Sequence, residues 1–148
     1  MLRSGGIRQK HATRSSWMLL VFSIGGRRLA VKTSEVSGLS AWNASIPVGG
    51  RTPFITAVVR QDQAVLPVFD LASVLRLCVQ GSNPLCLRIK HPLGDMVICI
   101  DEEMPVLQTL EATAVQAYRS KDIPAEGSYA SGLDEIPILA IAQLGSSM

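Results

Sequence analysis

The chain has 148 residues, of which 47% are hydrophobic and 18% charged, and its formal net charge is +2. This is enough apolar material for one domain with a real core, and too little charge for a disordered protein. Residues 1–16 contain four basic residues and no acid, so they carry +4 and the rest of the chain carries −2. We expect 1–16 to be a basic flexible tail and 17–148 to form a single domain, whose nearly neutral body argues against nucleic acid as the main ligand.

The first half of the chain predicts short strands. VFSI (21–24) and RRLAV (27–31) flank Gly25-Gly26, a spacing that predicts a hairpin in which the glycines take positive φ angles. The elements expected next are a helical turn or bent strand at 33–40, a loop at 42–53, a strand at 53–59, a polar turn at 60–63 and a strand at 64–69.

The segment AVLPVF (64–69) is apolar on both faces, which is typical of a strand that is covered on both sides. Pro67 has no N–H to donate, so we expect it on an edge strand or at a bulge. Asp70 can cap a helix, and the apolar spacing that follows continues this helix to about residue 77.

The second half restarts the strand pattern. The elements expected in it are a hairpin at 85–100, a strand at 104–110, a weak helix or loop at 112–127 and a closing hairpin at 128–144. About five short strands in each half require a closed or packed arrangement. The sequence therefore predicts a mainly β protein with two small five-stranded barrel-like lobes, at about 17–77 and 84–144, packed together with a short helix after the first lobe.

Residues suited to catalysis or metal binding are not grouped in the sequence. His11 lies in the tail, His91 lies in a predicted turn, and no Gly-x-Ser-x-Gly motif is present. The densest acidic cluster, Asp101 to Glu103, is expected to be a solvated turn. We therefore expect no catalytic residue, no metal site and no cofactor.

Three cysteines, Cys78, Cys86 and Cys99, lack any Cys-x-x-Cys spacing. An odd number with no framework suits a reducing compartment, and the apolar neighbours of Cys99 favour an inert buried thiol. No run approaches the ~20 apolar residues that span a membrane, so we expect no direct membrane insertion.

The segment VLPVFDL (65–71) resembles the CheW-like family, the adaptors of bacterial chemosensory arrays, in which a Pro-Val-x-Asp-Leu pattern leads from a strand into a short helix. The resemblance covers most of the chain after the tail. Its further matches, in the family's order, are Phe22-Ser-Ile24-Gly25, Val36 with the residues after it, Ile46-Pro47, Ile98-Cys99-Ile100-Asp101, and Gly132 with the final apolar strand 138–144.

The resemblance implies a non-catalytic adaptor that couples receptors to a CheA-type histidine kinase in the cytoplasm, at membrane-associated receptor arrays. The implied partners are the regulatory domain of the kinase and the cytoplasmic tip of a chemoreceptor. Trp42 is added to the candidate contacts because exposed loop aromatics often anchor interfaces. The candidate partner-binding residues are Val36, Gly38, Trp42, Val58, Val59, Arg60 and Asp62.

The chain departs from the family just before the proline strand. The family usually has Gly-x-x-Asn-Leu-Arg-Gly there, whereas these places hold Ala57, Arg60, Gln61, Asp62 and Gln63. Asp62 thus stands where the family has its arginine. Gly38 stands where the family has an acidic residue after the position of Val36.

Three alternatives stay open. A specialised or decoy adaptor would bind only one of the usual partners, a hypothesis that the lost motif motivates. A small barrel enzyme or ligand-binding protein would use Cys99, Asp101 or Glu102. A nucleic-acid-binding barrel would use the basic tail.

Overall fold

Two β-sheets and one short α-helix make up the fold of the residues that the structure describes. The structure is a computed structural model that describes residues 15–49 and 54–145, so most of the predicted tail and residues 50–53 of the predicted loop lie outside the described residues. In chain order the elements are β1 (Ser16–Ile24), β2 (Arg27–Lys32), β3 (Val36–Ala41), β4 (Ile46–Pro47), β5 (Ile55–Gln61), β6 (Ala64–Phe69), α1 (Leu71–Leu75), β7 (Leu85–Ile89), β8 (Met96–Ile100), β9 (Val106–Glu111), β10 (Ala125–Ser131) and β11 (Asp134–Leu139). Short 3₁₀ helices occur at Thr33–Glu35, Ala112–Ala114 and Ile141–Gln143.

The sheets interleave along the chain. The first sheet has the spatial order β9-β1-β2-β11-β10, and the second has the order β3-β7-β8-β6-β5-β4. The predicted mainly β, two-unit architecture with a short helix is confirmed, although the second sheet has six strands instead of the five expected. The lobe boundaries differ from those expected at 17–77 and 84–144, because the N-terminal hairpin pairs with strands from the end of the chain and each sheet draws strands from both halves.

The two sheets repeat one arrangement. In each, a hairpin is joined on one side to an antiparallel strand and on the other to a parallel strand. The parallel contact is a single ladder pair in both cases, Ile138↔Ala30 in the first sheet and Val68↔Val97 in the second.

A proline precedes each parallel contact. Pro67 lies one residue before Val68, and Pro137 lies one residue before Ile138. A proline cannot donate a ladder hydrogen bond, and a strand side with a single ladder pair tolerates this loss. Pro67 therefore lies in an interior strand, and the expectation of an edge position is wrong, although a register shift in the neighbouring strand lies beside it.

The helix after β6 forms as predicted. The backbone N–H of Ser73 donates to Asp70 Oδ1 at 3.2 Å, and Ser73 Oγ donates to Asp70 Oδ2 at 2.7 Å, so Asp70 is the N-cap. The helix ends slightly earlier than expected, because Arg76 adopts a left-handed conformation with φ 59°.

Apolar side chains form three layers. The central layer, here called the seam, packs the facing sides of the two sheets, and a further layer lies behind each sheet. Along β1, Phe22 and Ile24 point into the seam, whereas Leu19 and Val21 point into the layer behind the first sheet. Burial on both faces explains why the strands are continuous apolar runs instead of alternating patterns.

A buried carboxylate joins the sheets at one end of the seam. Asp101 directly follows β8 and is 3% exposed. Its Oδ1 accepts from the backbone N–H groups of Gly25 and Gln80, and its Oδ2 accepts from that of Gly26, each at 2.8 Å. Asp101 is therefore a structural acceptor, and its expected place in a solvated turn is wrong because the turn between β1 and β2 folds over it.

The glycines of that turn take positive φ angles, as predicted: 62° for Gly25 and 84° for Gly26. A Cβ at Gly25 would lie 2.8 Å from Leu77 Cβ. The turn can therefore approach Asp101 and the segment after α1 only without a side chain at Gly25.

We expect Asp101→Ala to lower the free energy of unfolding by about 2–4 kcal/mol, because three backbone N–H groups lose their charged acceptor. Urea unfolding measures this change. The control is Asp134→Ala, which removes a surface ion pair with Arg28 at 3.3 Å and should cost at most ~1 kcal/mol. Equal losses in the two variants would contradict the structural role of Asp101.

Candidate protein-docking surface

The second sheet extends beyond the seam on the side of β4, β5 and β6. The ladder places Ile46 opposite Val58 and Val58 opposite Pro67, so these three side chains share one face. Val65 lies on the same face, two residues before Pro67, and Val48 continues it two residues after Ile46. This apolar surface of Ile46, Val48, Val58, Val65 and Pro67 is here called the outer face.

The outer face is open to solvent. Ile46 is 63% exposed, Val65 60% and Val48 39%, while Val58 and Pro67 are half-buried. Arg60 is exposed and lies opposite Val65 in the ladder, at the edge of the apolar group. A continuous apolar surface with a charged rim is typical of a protein interface.

A groove lies on the other side of the same sheet. It has a volume of about 410 Å³ and includes Gly38 and Asp62 among its lining residues. Gln61 spans the bottom of the groove. Its Nε2 donates to Ser40 Oγ at 3.0 Å and to Cys86 Sγ at 3.2 Å. This contact joins β5 to β3, which are not neighbours in the sheet, and curls the sheet towards a barrel.

Asp62 occupies the turn between β5 and β6 with φ 53° and is exposed. Among the described residues its carboxylate has no ion-pair partner. Arg88, which lines the same groove, is held by Asp95, with Nε 2.8 Å from Oδ2. Within the described part of the chain, the groove therefore presents an acid without an ion-pair partner where the resemblance places an arginine.

Four of the seven predicted contact residues are accessible on the second sheet. Val58 and Arg60 lie on or beside the outer face, and Gly38 and Asp62 line the groove. The structure thus divides the predicted site between the two sides of one sheet.

The other three predicted contact residues take part in packing. Val59 is 1% exposed and lies in the layer behind the second sheet, so the prediction that it contacts a partner is wrong for this conformation. Trp42 is half-buried against the same layer, and its backbone N–H donates to Pro84 O at 3.0 Å. Val36 is half-buried against the seam.

The sequence did not single out Ile46, Val48 or Val65 as surface residues. Val65 belongs to an apolar run that suggested burial on both faces, and Ile46 lies in a predicted loop. The one available signal was Arg60, which the ladder places opposite Val65 and which marks that face as solvated. A second exposed apolar group in β9 and before it, Met104, Val106 and Leu107, contains none of the predicted contact residues.

The groups considered for catalysis are partly buried or already accept hydrogen bonds. Burial raises the pKa of the Cys99 thiol to about 11, and the nearby Cys86 thiol adds to the rise. Asp101 already accepts three backbone hydrogen bonds, and Glu102 Oε1 accepts from the backbone N–H of Ser82 at 3.0 Å. Within residues 15–49 and 54–145, no three His, Cys, Asp or Glu residues are grouped so as to hold a metal ion, and no helix is long and apolar enough to cross a membrane.

Comparison with solved structures identifies the fold. The crystal structure of the scaffolding protein TtCheW from Thermoanaerobacter tengcongensis is similar to this chain with a TM-score of 0.73 and 12% sequence identity, over 88% of this chain and 92% of that chain. No family model matches the sequence, and no curated protein matches it. The chain therefore has the CheW-like fold that the 65–71 segment predicted.

We expect iodoacetamide to label Cys78 in the folded protein much faster than Cys86 or Cys99. Cys78 is exposed, whereas burial raises the pKa of the other two thiols to about 11. Such a pKa leaves a thiolate fraction of about 10⁻⁴ at neutral pH. Labelling of these two should accelerate as the pH rises towards their pKa.

Mass spectrometry of proteolytic peptides measures the three labelling rates. Unfolding in urea serves as the control, because it should make the rates similar. Rapid labelling of the half-buried Cys99 in the folded protein at neutral pH would contradict the raised pKa of its thiol and favour a reactive site.

Proposed function

We propose that the protein is a non-catalytic adaptor of a bacterial chemosensory array that binds the regulatory domain of a CheA-type histidine kinase through the outer face. The observation that supports this is an uncovered apolar sheet face, containing the predicted contact Val58, on a CheW-like scaffold. Placement in the cytoplasm at receptor arrays is part of the same proposal.

The chemistry of the outer face suits a protein partner. Complete burial of a Val or Ile side chain contributes about 1.5–3 kcal/mol, and Ile46 and Val65 both leave most of their surface in water. Arg60 supplies a polar rim that can orient a partner without being buried. Modest interfaces of this kind gain strength when many copies bind together in an array.

A specialised adaptor that binds only one of the two usual partners is a second candidate. The observation that favours it is the carboxylate of Asp62 in the groove, which has no ion-pair partner among the residues described, because an acid there reverses the charge that the family presents. On this hypothesis the outer face binds the kinase, and the groove disfavours a conventional chemoreceptor tip.

Calorimetric titration with the regulatory domain of the organism's own chemosensory kinase tests the proposal. We expect binding with a Kd in the micromolar range or tighter, which corresponds to a binding free energy of about −8 kcal/mol or a more negative value. A folded protein that does not bind would overturn the adaptor function while leaving the fold assignment in place.

We expect Val65→Lys to weaken this binding by about tenfold or more, because it replaces an exposed apolar side chain of the outer face with a charge, opposite the like charge of Arg60. The matched control is Leu133→Lys, since Leu133 is fully exposed in the β10–β11 turn of the first sheet. Circular dichroism confirms that both variants are folded. A loss of affinity of the same size in Leu133→Lys would show that added charge, and not the outer face, reduces binding.

We expect Asp62→Arg to strengthen binding to a conventional chemoreceptor tip or kinase domain by severalfold, because it restores the charge that the family places in this turn. Titration at low and high salt measures the effect, which screening should reduce. Asp62→Asn is the control for loss of the acid alone. Unchanged or weaker binding of Asp62→Arg would place the turn outside that interface.

A further inference from the structure

Two cysteines face each other across the hairpin of β7 and β8. Cys86 and Cys99 are directly opposite in the antiparallel ladder, so their side chains lie on the same face of the second sheet. Cβ atoms of opposed residues lie about 4.5–5.5 Å apart, and a disulfide requires about 3.5–4.5 Å. A small approach of the two strands therefore brings the sulfurs within bonding distance.

The two thiols differ in access and in partners. Cys99 is half-buried, whereas Cys86 is 2% exposed and is covered by the layer behind the second sheet. Cys86 Sγ accepts the hydrogen bond from Gln61 Nε2 that closes the floor of the groove. A change at Cys86 is thus connected to Gln61, and through it to the neighbouring turn residue Asp62.

We propose that Cys86 and Cys99 form an intramolecular disulfide under oxidising conditions and that this bond releases Gln61 from Cys86. The disulfide draws Cys86 Sγ towards Cys99 and removes the acceptor that joins β5 to β7, which leaves Ser40 Oγ as the remaining acceptor of Gln61 Nε2. The position of the Gln61 side chain in the groove would then differ between the reduced and the oxidised protein. This inference does not depend on the proposed function, since it concerns the thiols and the groove alone.

Hydrogen peroxide can supply the oxidation. The thiolate of Cys99, the more accessible of the two, attacks one peroxide oxygen, and the O–O bond breaks to give a sulfenic acid and hydroxide. The thiolate of Cys86 then attacks Cys99 Sγ, and hydroxide leaves as the S–S bond forms. The two thiols lose two protons and two electrons in total, and the peroxide is reduced to two water molecules.

The test uses full-length Cys78→Ser, which removes the exposed thiol and with it the simplest route to intermolecular bonds. Burial raises the pKa of both remaining thiols to about 11, so peroxide treatment is carried out at alkaline pH. We expect the protein to lose both thiols and the mass of two hydrogen atoms, to remain a monomer on a non-reducing gel, and to recover both thiols with dithiothreitol. The control is the double variant Cys78→Ser, Cys99→Ser, which should form no intramolecular disulfide.

The side-chain amide of Gln61 reports the release. In ¹⁵N-resolved NMR we expect its resonances to shift when the Cys78→Ser protein is oxidised and to return when it is reduced. In the peroxide-treated double variant we expect these resonances to keep their positions. Retention of both thiols, addition of oxygen without loss of hydrogen, or only intermolecular disulfides would overturn the redox pair. A disulfide that leaves the Gln61 resonances unchanged would overturn the connection to the groove.

Discussion

The carboxylate of Asp101 fixes how the two sheets meet. It follows the last residue of β8 in the second sheet and accepts hydrogen bonds from both glycines of the β1–β2 turn in the first sheet. A third bond, from Gln80, holds the linker that leads from α1 to β7. A buried carboxylate needs hydrogen-bond donors of this number to compensate for the water that it loses. Together with the backbone bond from Asp101 N–H to Ser23 O at 2.9 Å, these bonds hold the end of β8 against the first sheet at one end of the seam.

The seam covers only part of the second sheet, and this leaves the candidate docking surface. Its contribution from that sheet comes largely from β7 and β8, together with Phe69 at the end of β6. The strands β4 and β5 lie farther along the spatial order, away from the first sheet. Ile46 and Val65 consequently remain in water although they belong to a well-packed sheet. The same curvature brings Gln61 against Ser40 on the opposite side and forms the groove.

The local elements could be predicted from the sequence, and the long-range pairing could not. The Gly25-Gly26 hairpin and the Asp70 cap follow from conformational preferences of neighbouring residues, and both form as expected. Which sheet a strand joins depends on pairing between segments that are far apart in the sequence. The sequence therefore did not predict that each sheet takes strands from both halves of the chain. The apolar run around Val65 did not show which side chains face the core, because that follows from register with the neighbouring strand. Val59 is buried and Val65 is exposed because the two side chains lie on opposite faces of the second sheet.

Hydrogen–deuterium exchange of the protein, alone and with the regulatory domain of a CheA-type histidine kinase as the proposed partner, tests the docking surface most directly. We expect binding to slow amide exchange in residues 46–48 and 55–67, with little change in the first sheet. Protection confined to the other exposed apolar group, at Met104, Val106 and Leu107, would contradict it and would move the interface to the edge of the first sheet.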